Sequence, residues 1–162
     1  MKRSHAKPLG TSLLFTLALA GCATPPPGAI TDSDQLPVAY IEAYRNGDAA
    51  RIAALFADDA TFVPLLPMAR FQGREAVRAY YQRAIGATTA RNITPTQQTV
   101  QDYGDVVVRS ADIRIDQTFA DGRQVATPAR VSFVYRRDGG QWRIVHHHQS
   151  VMPAPPASAP AR

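Results

Sequence analysis

Three consecutive histidines near the end of the chain are the first residues whose chemistry could serve a function. His146, His147 and His148 could bind a metal ion or exchange protons near neutral pH. In a β-strand, His146 and His148 share one face and His147 points to the other, so at most two of them could hold the same ion. The sequence identifies no third ligand. We therefore predict no metal site and no other cofactor.

An arginine between two isoleucines suggests a second kind of chemistry. Arg114 lies between Ile113 and Ile115, in a segment whose apolar residues alternate as in a strand. A buried arginine needs a partner, because an unpaired buried charge is strongly destabilising. Asp112 and Asp116 lie two residues to either side of Arg114, and hence on its face of the strand. Two interpretations stay open here: a self-neutralised network, or a site that binds an anionic ligand.

The N-terminus has the pattern of a bacterial lipoprotein leader. Residues 1–21 contain a basic head and an apolar stretch that ends in the lipobox Leu19-Ala20-Gly21-Cys22. We predict that signal peptidase II cleaves before Cys22 and that this residue, the only cysteine, carries the lipid. An ordinary secretory signal with an incidental cysteine is the alternative. A lone cysteine also excludes an internal disulfide and a multi-thiolate metal site.

The predicted leader determines the expected localisation and domain organisation. We expect export to the periplasm and contact with the membrane through the Cys22 lipid only, and Ala23 favours the outer membrane. Residues 22–33 form a proline-rich tether, and residues 153–162, rich in proline and alanine, are predicted to be disordered. The remaining residues, 34–152, are enough for one domain.

Composition and motifs argue against several classes of function. The net charge of the 162-residue chain is +5, but it falls to +2 without the leader, and no basic stripe with interleaved aromatic residues is present. We therefore expect no nucleic-acid partner. The sequence contains no glycine-rich phosphate loop, zinc-protease motif or serine nucleophile elbow.

The elements that must position these residues divide the domain into a helical half and a strand half. Helical spacing predicts a first helix containing Leu36 and Tyr44, a second over Asp48–Phe56 and a third over Gly73–Ile85, with a short strand over Ala60–Pro64. Later, a period of two predicts strands over Ile93–Val100, Val106–Phe119, Val125–Tyr135 and Gln141–Val151. This order predicts an α+β fold whose strands form an antiparallel meander.

Four local motifs resemble the nuclear transport factor 2-like superfamily, which includes SnoaL-like proteins. They are Asn46-Gly47-Asp48, LFADDATF at 55–62, Gly73-Arg74 at a helix start, and DGGQWRIVHHHQSVMP at 138–153. The last motif resembles the calcium/calmodulin-dependent protein kinase II association domain and the bacterial SgcJ/EcaC group. The resemblance covers residues 34–153. It implies a cone of about three N-terminal helices packed on a curved antiparallel sheet, and an oligomerising module with a pocket.

The association-domain resemblance also implies arginines in that pocket. It places Arg114 on an arginine-bearing strand of the family and Arg130 or Ser132 near a second pocket arginine, and Gln149 replaces a third.

On the last strand, the resemblance turns Val145, His147 and Gln149 toward the pocket. Alternation alone instead joins His146 and His148 to Trp142 and Ile144, which suggests that these four residues face the core. We follow the resemblance, which puts Trp142 and Ile144 on the convex face, where the partner subunit of a homodimer would bury them.

Ketosteroid isomerase belongs to the same superfamily and has a general-base aspartate at the end of its first strand. Val63 and Pro64 occupy that position here, and neither can move a proton. Tyr40 matches the helix-one tyrosine that donates to an oxyanion in the isomerase. A core aromatic residue with its hydroxyl at the pocket rim is the alternative interpretation of Tyr40.

Two functional hypotheses follow, besides a purely structural oligomerisation module. In the first, a lipid-anchored homodimer or larger homo-oligomer binds a small molecule, such as a carboxylate, without changing it. Its conical pocket is formed by Tyr40, Arg114, Arg130, Ser132, His147 and Gln149. In the second, a small isomerase, cyclase or hydratase uses His147 as acid or base, with Tyr40 or Arg130 stabilising an oxyanion.

Overall fold

The computed structural model describes residues 28–66 and 68–153. The predicted signal peptide (1–21), the lipidation residue Cys22 with the first part of its tether, and the predicted tail after residue 153 lie outside the described residues. None of the described helices is long and apolar enough to cross a membrane.

Three helices and six strands make up the described part of the chain. The helices are α1 (Gln35–Asn46), α2 (Ala49–Ala54) and α3 (Arg74–Gly86). The strands are β1 (Phe56–Val63), β2 (Phe71–Gln72), β3 (Thr88–Asp102), β4 (Val106–Phe119), β5 (Gln124–Asp138) and β6 (Gln141–Val151). The predicted α+β class is confirmed. The second helix is shorter than predicted because the chain is already extended from Phe56, and the two-residue β2 was not predicted.

Short-range signals set the boundary between α1 and α2. Gly47 ends α1 in the left-handed region, with a φ of 72°, where a glycine has no side chain to cause strain. Asp48 then caps α2, since its carboxylate accepts a hydrogen bond of 2.8 Å from the backbone N–H of Arg51. This tight turn lets both helices pack on the same sheet.

The strands form one curved mixed sheet in the order β2-β1-β6-β5-β4-β3. Strands β3 to β6 form the predicted antiparallel meander, but β1 pairs with β6 in parallel, with Phe62 opposite His147. The prediction of a wholly antiparallel sheet is therefore wrong at this pair. No hairpin joins β1 to β6, so their relative direction is not fixed by a short turn.

The two faces of the sheet are defined by β5. Val131, Phe133 and Tyr135 are buried on the face against which the helices pack, called here the concave face. The residues that alternate with them, such as Arg130 and Ser132, lie on the opposite, outer face.

A β-bulge at Val145 explains why alternation and the family resemblance predicted different orientations for the last strand. Tyr135 is opposite Ile144, but Val134 is opposite His146, so Val145 has no partner and the alternation shifts by one residue. Residues on both sides of the bulge therefore point to the concave face: Trp142, Ile144, His147 and Gln149. The expectation that a partner subunit buries Trp142 and Ile144 is wrong, because the chain's own core buries them, with exposed fractions of 7% and 1%.

Candidate functional site

A cavity of about 500 Å³ lies between the helices and the concave face of the sheet. Helices α1 and α3, the turn after β1 and strands β3 to β6 supply its walls. The lining residues are mostly aromatic and aliphatic: Tyr40, Tyr44, Leu65, Leu66, Tyr80, Tyr81, Ala84, Ala87, Ile93, Ile115, Gln117, Phe119, Arg123, Val125, Thr127, Gln149 and Val151. Cavities of this size and composition are typical of sites for small, largely apolar molecules.

Three of the polar side chains in the cavity wall form a hydrogen-bonded cluster. The hydroxyls of Tyr40 and Tyr81 are 2.6 Å apart, and the amide Nε2 of Gln149 donates to the Tyr40 hydroxyl over 3.4 Å. Burial raises the pKa of both tyrosines well above 10, so both hydroxyls keep their protons at any physiological pH. This Tyr40–Tyr81–Gln149 group is called the polar cluster below.

The polar cluster has one hydroxyl proton more than its internal hydrogen bonds use. The two tyrosines carry two O–H protons, and their mutual hydrogen bond uses one of them in whichever direction it runs. The Gln149 amide presents its Nε2 donor to the cluster, and in this orientation no described residue accepts the second proton. An oxygen or nitrogen of a bound molecule could accept it.

Below the cavity, His147 lies in an aromatic cage. Its ring stacks on Phe133 with centroids 3.9 Å apart, and Tyr40, Phe56 and Phe62 surround it at 5.1 to 6.2 Å. The side chain is fully buried and is not part of the cavity lining. Neither ring nitrogen has a hydrogen-bond partner among the described residues. In this position the imidazole fills space beneath Tyr40 and cannot reach a molecule in the cavity.

Acid is expected to destabilise the domain through His147. Burial, together with neighbouring His146 and His148, holds the pKa of His147 well below 6.5. The imidazole is then neutral when folded and gains a proton near pH 6.5 when unfolded, so its contribution to stability is complete above that pH and is lost below it. Between pH 7.5 and pH 5.5, the wild-type free energy of unfolding should fall by about 1.4 kcal/mol more than that of His147→Leu.

Urea denaturation at the two pH values measures this difference. His148→Leu is the matched control, because it removes an exposed imidazole from the same strand and should keep the wild-type pH dependence. A His147→Leu variant that loses as much stability in acid as the wild type would contradict the assignment.

Three residues expected in the pocket lie elsewhere. Arg114, Arg130 and Ser132 are on the outer face, and the side chains of both arginines are 62% exposed. Arg114 donates to Asp116 over 2.8 Å, and Arg130 lies 3.4 Å from Asp112. Their neighbours on the strands point inward, which turns the arginines outward. The structure thus supports the self-neutralised network.

The expected residues divide into two groups with different surroundings. Tyr40 and Gln149 line the cavity, and His147 lies under it.

Within the described residues, no group of three or more His, Cys, Asp or Glu side chains could hold a metal ion. His146 and His148 point to the outer face, away from His147.

Several cavity residues were not found from the sequence. Tyr81 completes the polar cluster, but the sequence analysis placed it only within the predicted third helix, Gly73–Ile85. Gln117 and Arg123 also line the cavity, and the exposed Arg123 side chain marks its mouth. The alternation that places Ile115 on the concave face also places Gln117 there, which was the available signal.

A buried arginine holds α1 to the sheet. Arg109 is 8% exposed on the concave face, pairs with Asp34 just before α1, and donates to Gln98 over 2.9 Å. Its partner Asp34 is far away in the sequence, so no local pattern predicted the pair. By fixing the start of α1, the pair helps to fix Tyr40 over the sheet.

Comparison with known protein families shows the family to which the chain belongs. The family model of the SnoaL-like domain matches residues 34–155. The chain belongs to the SnoaL-like domain family. No match was found among curated proteins.

Solved structures of the nuclear transport factor 2-like superfamily share the fold of this SnoaL-like domain. A candidate calcium/calmodulin-dependent protein kinase II association domain from Xanthomonas campestris is 25% identical, with a TM-score of 0.69 over 74% of this chain and 85% of that one. A protein of unknown function from Pseudomonas putida is 29% identical, with a TM-score of 0.65 over 72% and 82%. A candidate dehydratase from Streptomyces avermitilis is 20% identical, with a TM-score of 0.67 over 75% and 94%. The expected superfamily and cone fold are confirmed.

Proposed function

We propose that this SnoaL-like domain binds a small, largely apolar molecule in its cavity without changing it chemically. The observation that carries the proposal is the spare hydroxyl proton of the polar cluster, which lies in the wall of a mostly apolar cavity of about 500 Å³. A buried donor without an acceptor is unfavourable, so a ligand that brings an acceptor gains a hydrogen bond as well as apolar contact. We propose further that the domain acts as a homodimer, anchored by Cys22 on the periplasmic side of the outer membrane.

The enzymatic alternative has weaker support. It requires His147 as acid or base, but His147 lies in its aromatic cage outside the cavity lining. Its second component, Arg130, is on the outer face. The described lining contains no carboxylate that could replace His147 as a base. Tyr40 remains as a hydrogen-bond donor, and a donor alone suffices for binding.

Calorimetric titration with 2-naphthol and naphthalene tests the proposal. Both probes offer the same apolar rings, but only 2-naphthol carries an oxygen for the spare proton. We expect one 2-naphthol per chain, and a preference for it over naphthalene. The absence of saturable binding for either probe would refute the proposed function.

Removal of both tyrosine hydroxyls should remove that preference. In Tyr40→Phe or Tyr81→Phe alone, the remaining tyrosine is freed from the mutual hydrogen bond and can still donate to the ligand, so 2-naphthol should bind as before. In the double variant Tyr40→Phe/Tyr81→Phe, affinity for 2-naphthol should fall about fivefold while affinity for naphthalene stays the same. A fivefold loss in each single variant, or none in the double variant, would contradict the role of the spare proton.

A further inference from the structure

One residue at the cavity mouth differs in charge from the rest of the wall. Among the described lining residues, Arg123 is the only one with a formal charge. The others are tyrosines, aliphatic residues, phenylalanine, threonine and two glutamines. A ligand that extends from the polar cluster to the mouth would therefore meet neutral groups inside and a cation at the rim.

The β4–β5 turn holds the Arg123 guanidinium at this position. Phe119 donates its N–H to the carbonyl of Arg123 over 2.9 Å, and Gly122 has a positive φ of 82° that closes the turn. The guanidinium carbon lies 4.2 Å above the centre of the Phe119 ring, which also lines the cavity. This cation–π contact keeps the charge beside the cavity.

The charge of Arg123 is only weakly compensated. Its ion pair in the described structure is with Asp121 at 3.7 Å, and both side chains are about two-thirds exposed, at 60% and 65%. Such exposed pairs contribute little and leave the cation available. By contrast, Arg114 and Arg130 are paired with aspartates on the outer face and cannot serve the cavity.

We infer that the ligand class is an amphipathic anion: a flat, apolar body with a hydrogen-bond acceptor at its inner end and a carboxylate at its outer end, paired with Arg123. This inference rests on the proposed function and specifies the same site. It keeps the carboxylate expected from the sequence but assigns its recognition to Arg123 in place of Arg114 and Arg130. The tyrosines and Gln149 orient the molecule, and Arg123 selects its charge.

Titration with 2-naphthol and 6-hydroxy-2-naphthoate tests the inference, because the two molecules differ by one carboxylate. The wild-type protein should bind the naphthoate about three- to tenfold more tightly at low ionic strength, and added salt should reduce the difference. Arg123→Gln should remove this preference, so that the two probes bind this variant with about equal affinity. Arg123→Lys should restore part of it.

Two further variants sharpen the test. Asp121→Asn removes the weak counter-charge but keeps an acceptor for the turn, and should strengthen naphthoate binding about twofold. Arg114→Gln, on the outer face, should change neither affinity. Equal affinity of wild type and Arg123→Gln for the naphthoate, with 2-naphthol still bound, would overturn the inference alone. If neither probe binds the wild-type protein saturably, both the inference and the proposed function are refuted.

Discussion

Thr127→Trp is expected to reduce the affinity for 2-naphthol by at least about tenfold. Thr127 lies on the concave face of β5, opposite Ile115 of β4, and lines the cavity. An indole at this position extends into the space that the ligand would occupy. Binding by contact with the cavity wall cannot persist when the space is filled, whereas binding to the outside of the domain would be unaffected.

Two controls separate blocking of the cavity from damage to the fold. Ala126→Trp places the same side chain on the exposed outer face of the same strand, and should keep wild-type affinity. Thr127→Val keeps the shape of the native residue and should also bind normally. Wild-type affinity in Thr127→Trp, with normal urea denaturation, would show that 2-naphthol binds elsewhere.

His147→Ala is expected to lower the free energy of unfolding by about 2–4 kcal/mol, whereas His147→Leu should lie within about 1.5 kcal/mol of the wild type. The imidazole is completely buried between aromatic rings, so alanine leaves an internal cavity. Leucine nearly restores the volume, and no hydrogen bond to a described residue is lost with either change. Urea denaturation at pH 7.5 gives both values.

The same two variants discriminate between a structural and a chemical role for His147. If the residue only supports Tyr40 from below, His147→Leu should bind 2-naphthol with nearly wild-type affinity. A leucine variant as unstable as the alanine variant would contradict the volume argument. It would indicate that the imidazole nitrogens form bonds on which the fold depends.

The helices and the four long strands of the meander could be predicted because their patterns are local. Apolar spacing in α1 and period-two alternation in β4 and β5 depend on the burial of one face. The parallel pairing of β1 with β6 and the contact of Asp34 with Arg109 join residues far apart in sequence. No local pattern encodes such contacts.

The direction of the side chains in the candidate site followed alternation on β4, and on β6 neither alternation nor the family resemblance predicted it throughout. For Arg114, the buried Ile113 and Ile115 already implied an outward side chain, and the family resemblance that placed it in the pocket was wrong. On β6 the resemblance turned Val145, His147 and Gln149 toward the pocket, and the structure places His147 and Gln149 on the concave face, with Val145 at the bulge. The resemblance was wrong for Trp142 and Ile144, which are buried on that face as well. Alternation was right before the bulge at Val145, where Trp142 and Ile144 are buried. It was wrong after the bulge, because the change of phase turns His146 and His148 outward.

The most direct test of ligand binding in the cavity is a crystal structure of the protein grown with 2-naphthol. The naphthalene rings should lie between Ile115 and the α3 tyrosines, with the naphthol oxygen within hydrogen-bond distance of the Tyr40 or Tyr81 hydroxyl. A naphthol bound only on the outer face, or an empty cavity at a concentration that saturates binding in solution, would contradict ligand binding in the cavity.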